Sequence, residues 1–153
     1  MAMTAMQAAK LACEASGWTL TNLSLHKLLY IAHAVHLGEY GEPLIEEPFE
    51  AWMYGPVQPG VYHRTKMYGA KPIKNIFRGV PDADPRSTEA KTVRKAVEKL
   101  GGVPANHLVS VTHWDDGAWA KNYQPRRNRR IPTDDIIEEV NRRRDARTEP
   151  EDG

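Results

Sequence analysis

His33 and His36 stand three residues apart in a stretch with helical periodicity, a spacing at which two imidazoles can share a metal ion. No clear third ligand lies nearby and there is no cysteine pair, so two ordinary helix histidines are the simpler reading. Ser24, Ser110 and Cys13 are the available nucleophiles, and none sits in a nucleophile elbow or beside a base in sequence. Acidic residues are scattered over loops and helix ends without pairing. Gly101-Gly102 follows a helix instead of opening one, so it is not a phosphate loop. These residue types point away from catalysis and from a bound cofactor. What remains is recognition chemistry, concentrated in Trp52-Met53-Tyr54-Gly55-Pro56-Val57-Gln58-Pro59.

Alternation from Pro48 to Tyr54 suits a strand, with Phe49, Ala51 and Met53 on one face and Glu50, Trp52 and Tyr54 on the other. Pro48 makes it an edge strand or the start of one, Gly55-Pro56 is expected to end it, and Pro59 suits the first turn of a helix running to Gly69. Two large aromatics at a rigid turn make either a recognition surface or a packed strand-to-helix corner. Around this stretch the periodicity predicts helices over 3–16, 22–38, 87–100 and 104–113, a short turn at Ala118-Trp119, and a last helix capped by Thr133. In the second, Leu25, Leu28, Leu29, Ala32 and Val35 form the expected buried stripe, flanked by His26, Tyr30 and His33. Leu108 and Val111 are expected to face inward from the fifth. Ile73 to Phe77 is expected to pair with 49–54. The fold class is thus mainly α with a small β-sheet, one domain over residues 1–147, with a frayed tail at 148–153.

The 153 residues carry a net charge of +1 and one cysteine, which excludes an internal disulfide and suits a reducing cytoplasm. No apolar run approaches a membrane span and the start lacks a signal-peptide plan. Charge gives no global pull toward nucleic acid. The alternative to a protein-binding role is a basic patch of Arg126, Arg127, Arg129 and Arg130 with Arg142 to Arg144, and Tyr123 near enough to stack. Asp134, Asp135, Glu138 and Glu139 dilute that region, and nucleic acid is the less favoured partner.

Three pieces in order resemble the Panacea domain of SocA-type antitoxins: Leu25-His26-Lys27-Leu28-Leu29-Tyr30 with Ala32-His33; Ala51-Trp52-Met53-Tyr54-Gly55-Pro56-Val57 with Pro59 and Tyr62; and Leu108-Val109-Ser110-Val111-Thr112-His113 with Trp119. The likeness covers roughly residues 5 to 142. It implies an α-rich fold with a small sheet, no enzymatic chemistry, and a bacterial or prophage antitoxin that binds a cognate toxin. For the SocA type it further implies a proteolytic adaptor that delivers the toxin to the ClpXP protease. With no DNA-binding pattern or long polar tail, the folded domain is expected to make the contacts. Lys27, Tyr30, Trp52, Tyr54, Gly55, Pro56, Tyr62, His113 and Trp119 become candidates for one toxin-binding surface, since Tyr and Trp bury large area at low entropic cost. Leu28, Leu29, Val57 and Trp119 serve equally well as plain core.

Overall fold

The computed structural model describes residues 2–148. Its organising element is α2 (Asn22–Tyr40), which buries eleven residues, Lys27 and three histidines among them. A helix enclosed on so many sides needs apolar contact all round and a partner for each polar group it buries. Thr21 caps its start by accepting from the Ser24 amide, and Gly41 ends it in the left-handed conformation at φ 70°. Around it pack α1 (Ala5–Ala15), α4 (Thr88–Leu100), α5 (Ala105–Thr112) and α7 (Thr133–Thr148). α1 opens with a reciprocal Thr4–Gln7 capping box. Ser87 caps α4, whose Ala90, Val93 and Val97 face the core. α3 (Pro59–Thr65), a 3-10 turn at Lys66–Tyr68 and α6 (Ala118–Asn122) complete the helices. Fold class is therefore α+β, as the periodicity predicts.

The sheet differs from expectation. β1 (Glu50–Trp52) is its centre and not an edge, with β2 (Gly55–Val57) antiparallel on one side and β3 (Arg129–Arg130) antiparallel on the other. The chain reverses at Met53-Tyr54, so Gly55-Pro56 belongs to the return strand and does not break the first one. Pro56 opposes Ala51 on a strand that is an edge, where the missing amide proton costs no ladder bond. Ile73 to Phe77 forms no strand. Asn75 accepts from the Phe77 amide through its own side chain at 3.1 Å, which diverts the backbone into a turn. Both apolar residues are nonetheless buried, Ile73 held by its amide to the Leu20 carbonyl at 2.9 Å and Phe77 stacked near Trp18.

Val35 and Val111 were expected inward and are exposed. They line an open cleft of about 310 Å³ between α2, α5 and α7 that no side chain fills. At the C-terminal end α7 runs through Thr148, one residue into the segment expected to fray; residues 149–153 lie outside the described residues. No described helix is long and apolar enough to cross a membrane.

Candidate functional site

The hairpin is fixed from below. Lys27 reaches out of α2 and donates from Nζ to the Pro56 carbonyl at 2.9 Å, fully buried. A β-carbon at position 55 would lie 2.8 Å from Lys27 Cε and 3.0 Å from Thr112 Oγ1, and Gly55 has φ +114°. Only glycine satisfies both the space and the backbone. His113 lies over the same spot, 3.4 Å away through Cδ2. Its ring stacks on Trp119 at 3.8 Å, and Trp119 stacks in turn on Tyr123 at 4.8 Å. Trp119 donates from Nε1 to the Trp52 carbonyl at 2.7 Å. Trp52 is half-buried, edge-on to Tyr62 at 4.9 Å, with its Nε1 donating to Glu50 at 3.0 Å.

With its base held so firmly, the hairpin presents its tip to solvent: Met53 and Tyr54 are each 65% exposed. Beside the tip lies a groove of about 690 Å³ between the first turns of α2, the hairpin and the α3 region. The aromatic pair Trp52 and Tyr62 forms one wall, and His26 and Lys27 lie along it.

The histidines of α2 serve the fold. The His33 ring accepts the Ile45 amide proton at 3.2 Å. His36 bonds the Glu42 carbonyl at 2.7 Å and Thr88 Oγ1 at 2.8 Å. Both are buried. Among the described residues no cluster of three His, Cys, Asp or Glu could hold a metal. Burial pushes the Cys13 thiol up to about 12, so it is a small core residue and a poor nucleophile. Burial likewise lowers the Lys27 ammonium to about 7.

Eight of the nine candidate residues therefore gather at the hairpin and its supports: Lys27, Trp52, Tyr54, Gly55, Pro56, Tyr62, His113 and Trp119. Tyr30 does not. It is fully buried, edge-on to Phe49 at 5.5 Å, and donates its hydroxyl to Glu139 at 3.0 Å. Glu139 also accepts the Ala118 amide and the Arg143 guanidinium, each at 2.9 Å, so Tyr30 ties α2 to α6 and α7. Residues three apart on a helix share a face, but Lys27 and Tyr30 meet different neighbours. Lys27, Gly55 and Pro56 are buried and can only support the surface; Tyr54 is the candidate that stands on it.

The groove also takes in Leu23, His26 and Ala70, which are not among the candidates that the sequence singles out. Met53 carried a signal in its place between Trp52 and Tyr54, but without the turn position its exposure could not be read. The basic patch separates into two sets. Arg142 pairs with Glu138 at 2.7 Å, Arg143 with Glu139 while lying 4.5 Å over the Trp114 ring, and Arg144 bonds the Gly38 carbonyl at 3.0 Å. Arg126, Arg127, Arg129 and Arg130 are exposed along a separate turn and strand.

Residues 25–120 match the model of a family described as antitoxin SocA-like, Panacea domain. The chain is also similar to "Antitoxin SocA" of Caulobacter vibrioides (strain NA1000 / CB15N), 36% identical over 109 residues, which is 65% of this chain and 58% of the relative. The likeness thus spans little more than half of the relative's length. No solved structure matches the chain significantly. The span from Lys27 to Trp119 lies wholly inside the matched region.

Proposed function

Because this chain belongs to the SocA-like Panacea domain family, we propose that it is an antitoxin that neutralises a cognate toxin by binding it through the hairpin tip and the adjoining groove. It acts as one domain over residues 1–147, by contact and not by catalysis, in the cytoplasm. As a proteolytic adaptor it would hold the toxin for the ClpXP protease.

The observation that carries this reading is a rigid hairpin whose two outermost side chains, Met53 and Tyr54, are apolar or aromatic and 65% exposed. Exposed large side chains on a pre-ordered support bind at low entropic cost. Such anchors, ringed by contacts that exclude water, supply most of the affinity of protein interfaces. An adaptor must also hold its client long enough for a protease to engage, which favours slow dissociation from a few anchors.

The test is co-purification with the protein encoded beside this chain, with that protein's half-life then measured in cells that have or lack ClpX. A complex whose toxin is degraded only when ClpX and this chain are both present supports the adaptor reading. A complex without degradation leaves neutralisation by occlusion, and no complex overturns the toxin-binding reading.

A further inference from the structure

We infer that the surface formed by the end of α3 and the loop after it binds an acidic segment, carrying apolar side chains, of a second partner protein, at a place apart from the proposed toxin interface.

From Ala51 to Pro81 the chain contains no Asp or Glu, while Arg64, Lys66, Lys71, Lys74 and Arg78 give the run a local charge of +5 in a chain of net charge +1. All five side chains are exposed, and none takes part in the ion pairs among the described residues. A surface so rich in one sign attracts the other and selects against partners of its own sign.

Within this run the fold builds a depression of about 530 Å³ lined by Arg64, Met67, Asn75, Ile76 and Arg78. Arg64 is held in place, because Nε and Nη2 both donate to the Ile76 carbonyl, at 3.3 and 3.1 Å. A guanidinium has five N–H donors, so three remain for a ligand, and no carboxylate lines the depression to take them. Asn75 Oδ1 accepts the Phe77 amide proton, which leaves its Nδ2 as a further donor. Beside these donors Met67 is 74% exposed, more than any other large apolar side chain among the described residues, and Ile76 is half-buried.

Two kinds of partner chemistry are thus wanted in one place, an anion for the donors and apolar cover for Met67 and Ile76. A peptide segment with carboxylates beside a leucine-like side chain supplies both. Nucleic acid supplies only the first, since no aromatic ring lines the depression for a base to stack on. A lipid surface calls for a broader apolar face than one methionine on a 3-10 turn. The position sets this surface apart from the hairpin. Tyr62 packs on Trp52 at the hairpin groove, and Arg64, two residues on, lies about 200° around α3. Opposite sides of one helix can be occupied at once.

Titration of the full chain with a short capped peptide of alternating glutamate and leucine, followed through the backbone amide resonances of Met67 and Asn75, tests the chemistry without any toxin. That peptide is expected to bind about ten-fold or more tighter than its glutamine–leucine and glutamate–glycine counterparts, and to weaken as salt is raised. Arg78→Glu and Met67→Ser change exposed side chains, so both should fold, and each should lower affinity about ten-fold. Equal affinity for the glutamate and glutamine peptides, no response to millimolar peptide, or binding that survives in Met67→Ser/Arg78→Glu overturns the inference. Duplex DNA or phosphatidylserine vesicles that bind tighter than the peptide and ignore Met67→Ser would give the surface to phosphate and overturn it as well. Toxin affinity should be unchanged in Met67→Ser/Arg78→Glu. A ten-fold loss there would make this surface part of the toxin interface and overturn the assignment to a second partner, whereas a missing toxin complex would count against the antitoxin reading and leave the peptide result standing.

Discussion

Trp119 donates its indole proton to the Trp52 carbonyl at 2.7 Å, joining α6 to the central strand across 67 positions of sequence. Through this bond and the His113 stack, the third motif of the chain holds the second in place. Trp119 is thereby a support of the hairpin and Tyr54 its outward face. That division makes binding and folding separable by mutation.

Gly55→Ala should destabilise the domain by about 1–3 kcal/mol, the range for forcing an L side chain into a sparsely populated conformation, with the Lys27 Cε contact at 2.8 Å adding to it. Urea denaturation measures it. A change near zero would mean that neither the φ of +114° nor the contact constrains this position.

Tyr54→Ala should leave the melting temperature nearly unchanged, because the side chain is 65% exposed. It should weaken toxin binding by ~2 kcal/mol or more, as interface anchors do, and restore toxicity in cells that make both proteins. Trp52→Ala should lower both stability and binding, since Trp52 also packs on Tyr62. Stably folded Met53→Ala/Tyr54→Ala that binds at full strength would place the interface elsewhere.

Tyr30→Phe separates the candidate that the fold withdrew. Removing the hydroxyl takes one donor from Glu139, whose carboxylate keeps Ala118 and Arg143. The expected cost is about 1–2 kcal/mol of stability with toxin affinity unchanged, measured by thermal melts and titration calorimetry of the same preparation.

Acid should unfold the protein earlier than its carboxylates alone would. Burial, then the Lys27 charge, lowers His26 to about 3, and burial, then His36, lowers His33 to about 4, from an ordinary 6.5. Between those values the unfolded chain binds more protons than the folded one, so this contribution is fully present above 6.5 and is lost as pH drops toward 4 for His33 and toward 3 for His26. At about 1.4 kcal/mol per pKa unit, the two rings remove several kcal/mol across that window. His26→Asn and His33→Asn should each flatten the fall of melting temperature below pH 6.5.

Arg126→Ala should change toxin affinity little, because rim charges contribute mainly to association rate. If duplex DNA shifts at sub-micromolar protein in a salt-dependent way that Arg126, Arg127, Arg129 and Arg130 control, the exposed turn and strand bind nucleic acid after all.

Local chemistry determined the helices. Thr21, Ser87 and the glycine after Tyr40 punctuate α2 and α4 within a residue or two of expectation, because caps act through bonds between near neighbours. The sequence also determined that the Lys27, Trp52–Pro56, and His113–Trp119 pieces belong together, through a family resemblance that the comparisons bear out. It did not determine strand partners. Arg129–Arg130, and not Ile73 to Phe77, completes the sheet, since pairing depends on which distant segment can reach the Glu50–Ala51 edge. Nor did it determine which candidates face solvent. Tyr30 and Tyr54 are the same residue type in motifs of equal prominence, yet one donates to a buried carboxylate 109 positions away and the other stands at a hairpin tip. Exposure is a property of what packs against a residue, and only the tertiary structure decides that.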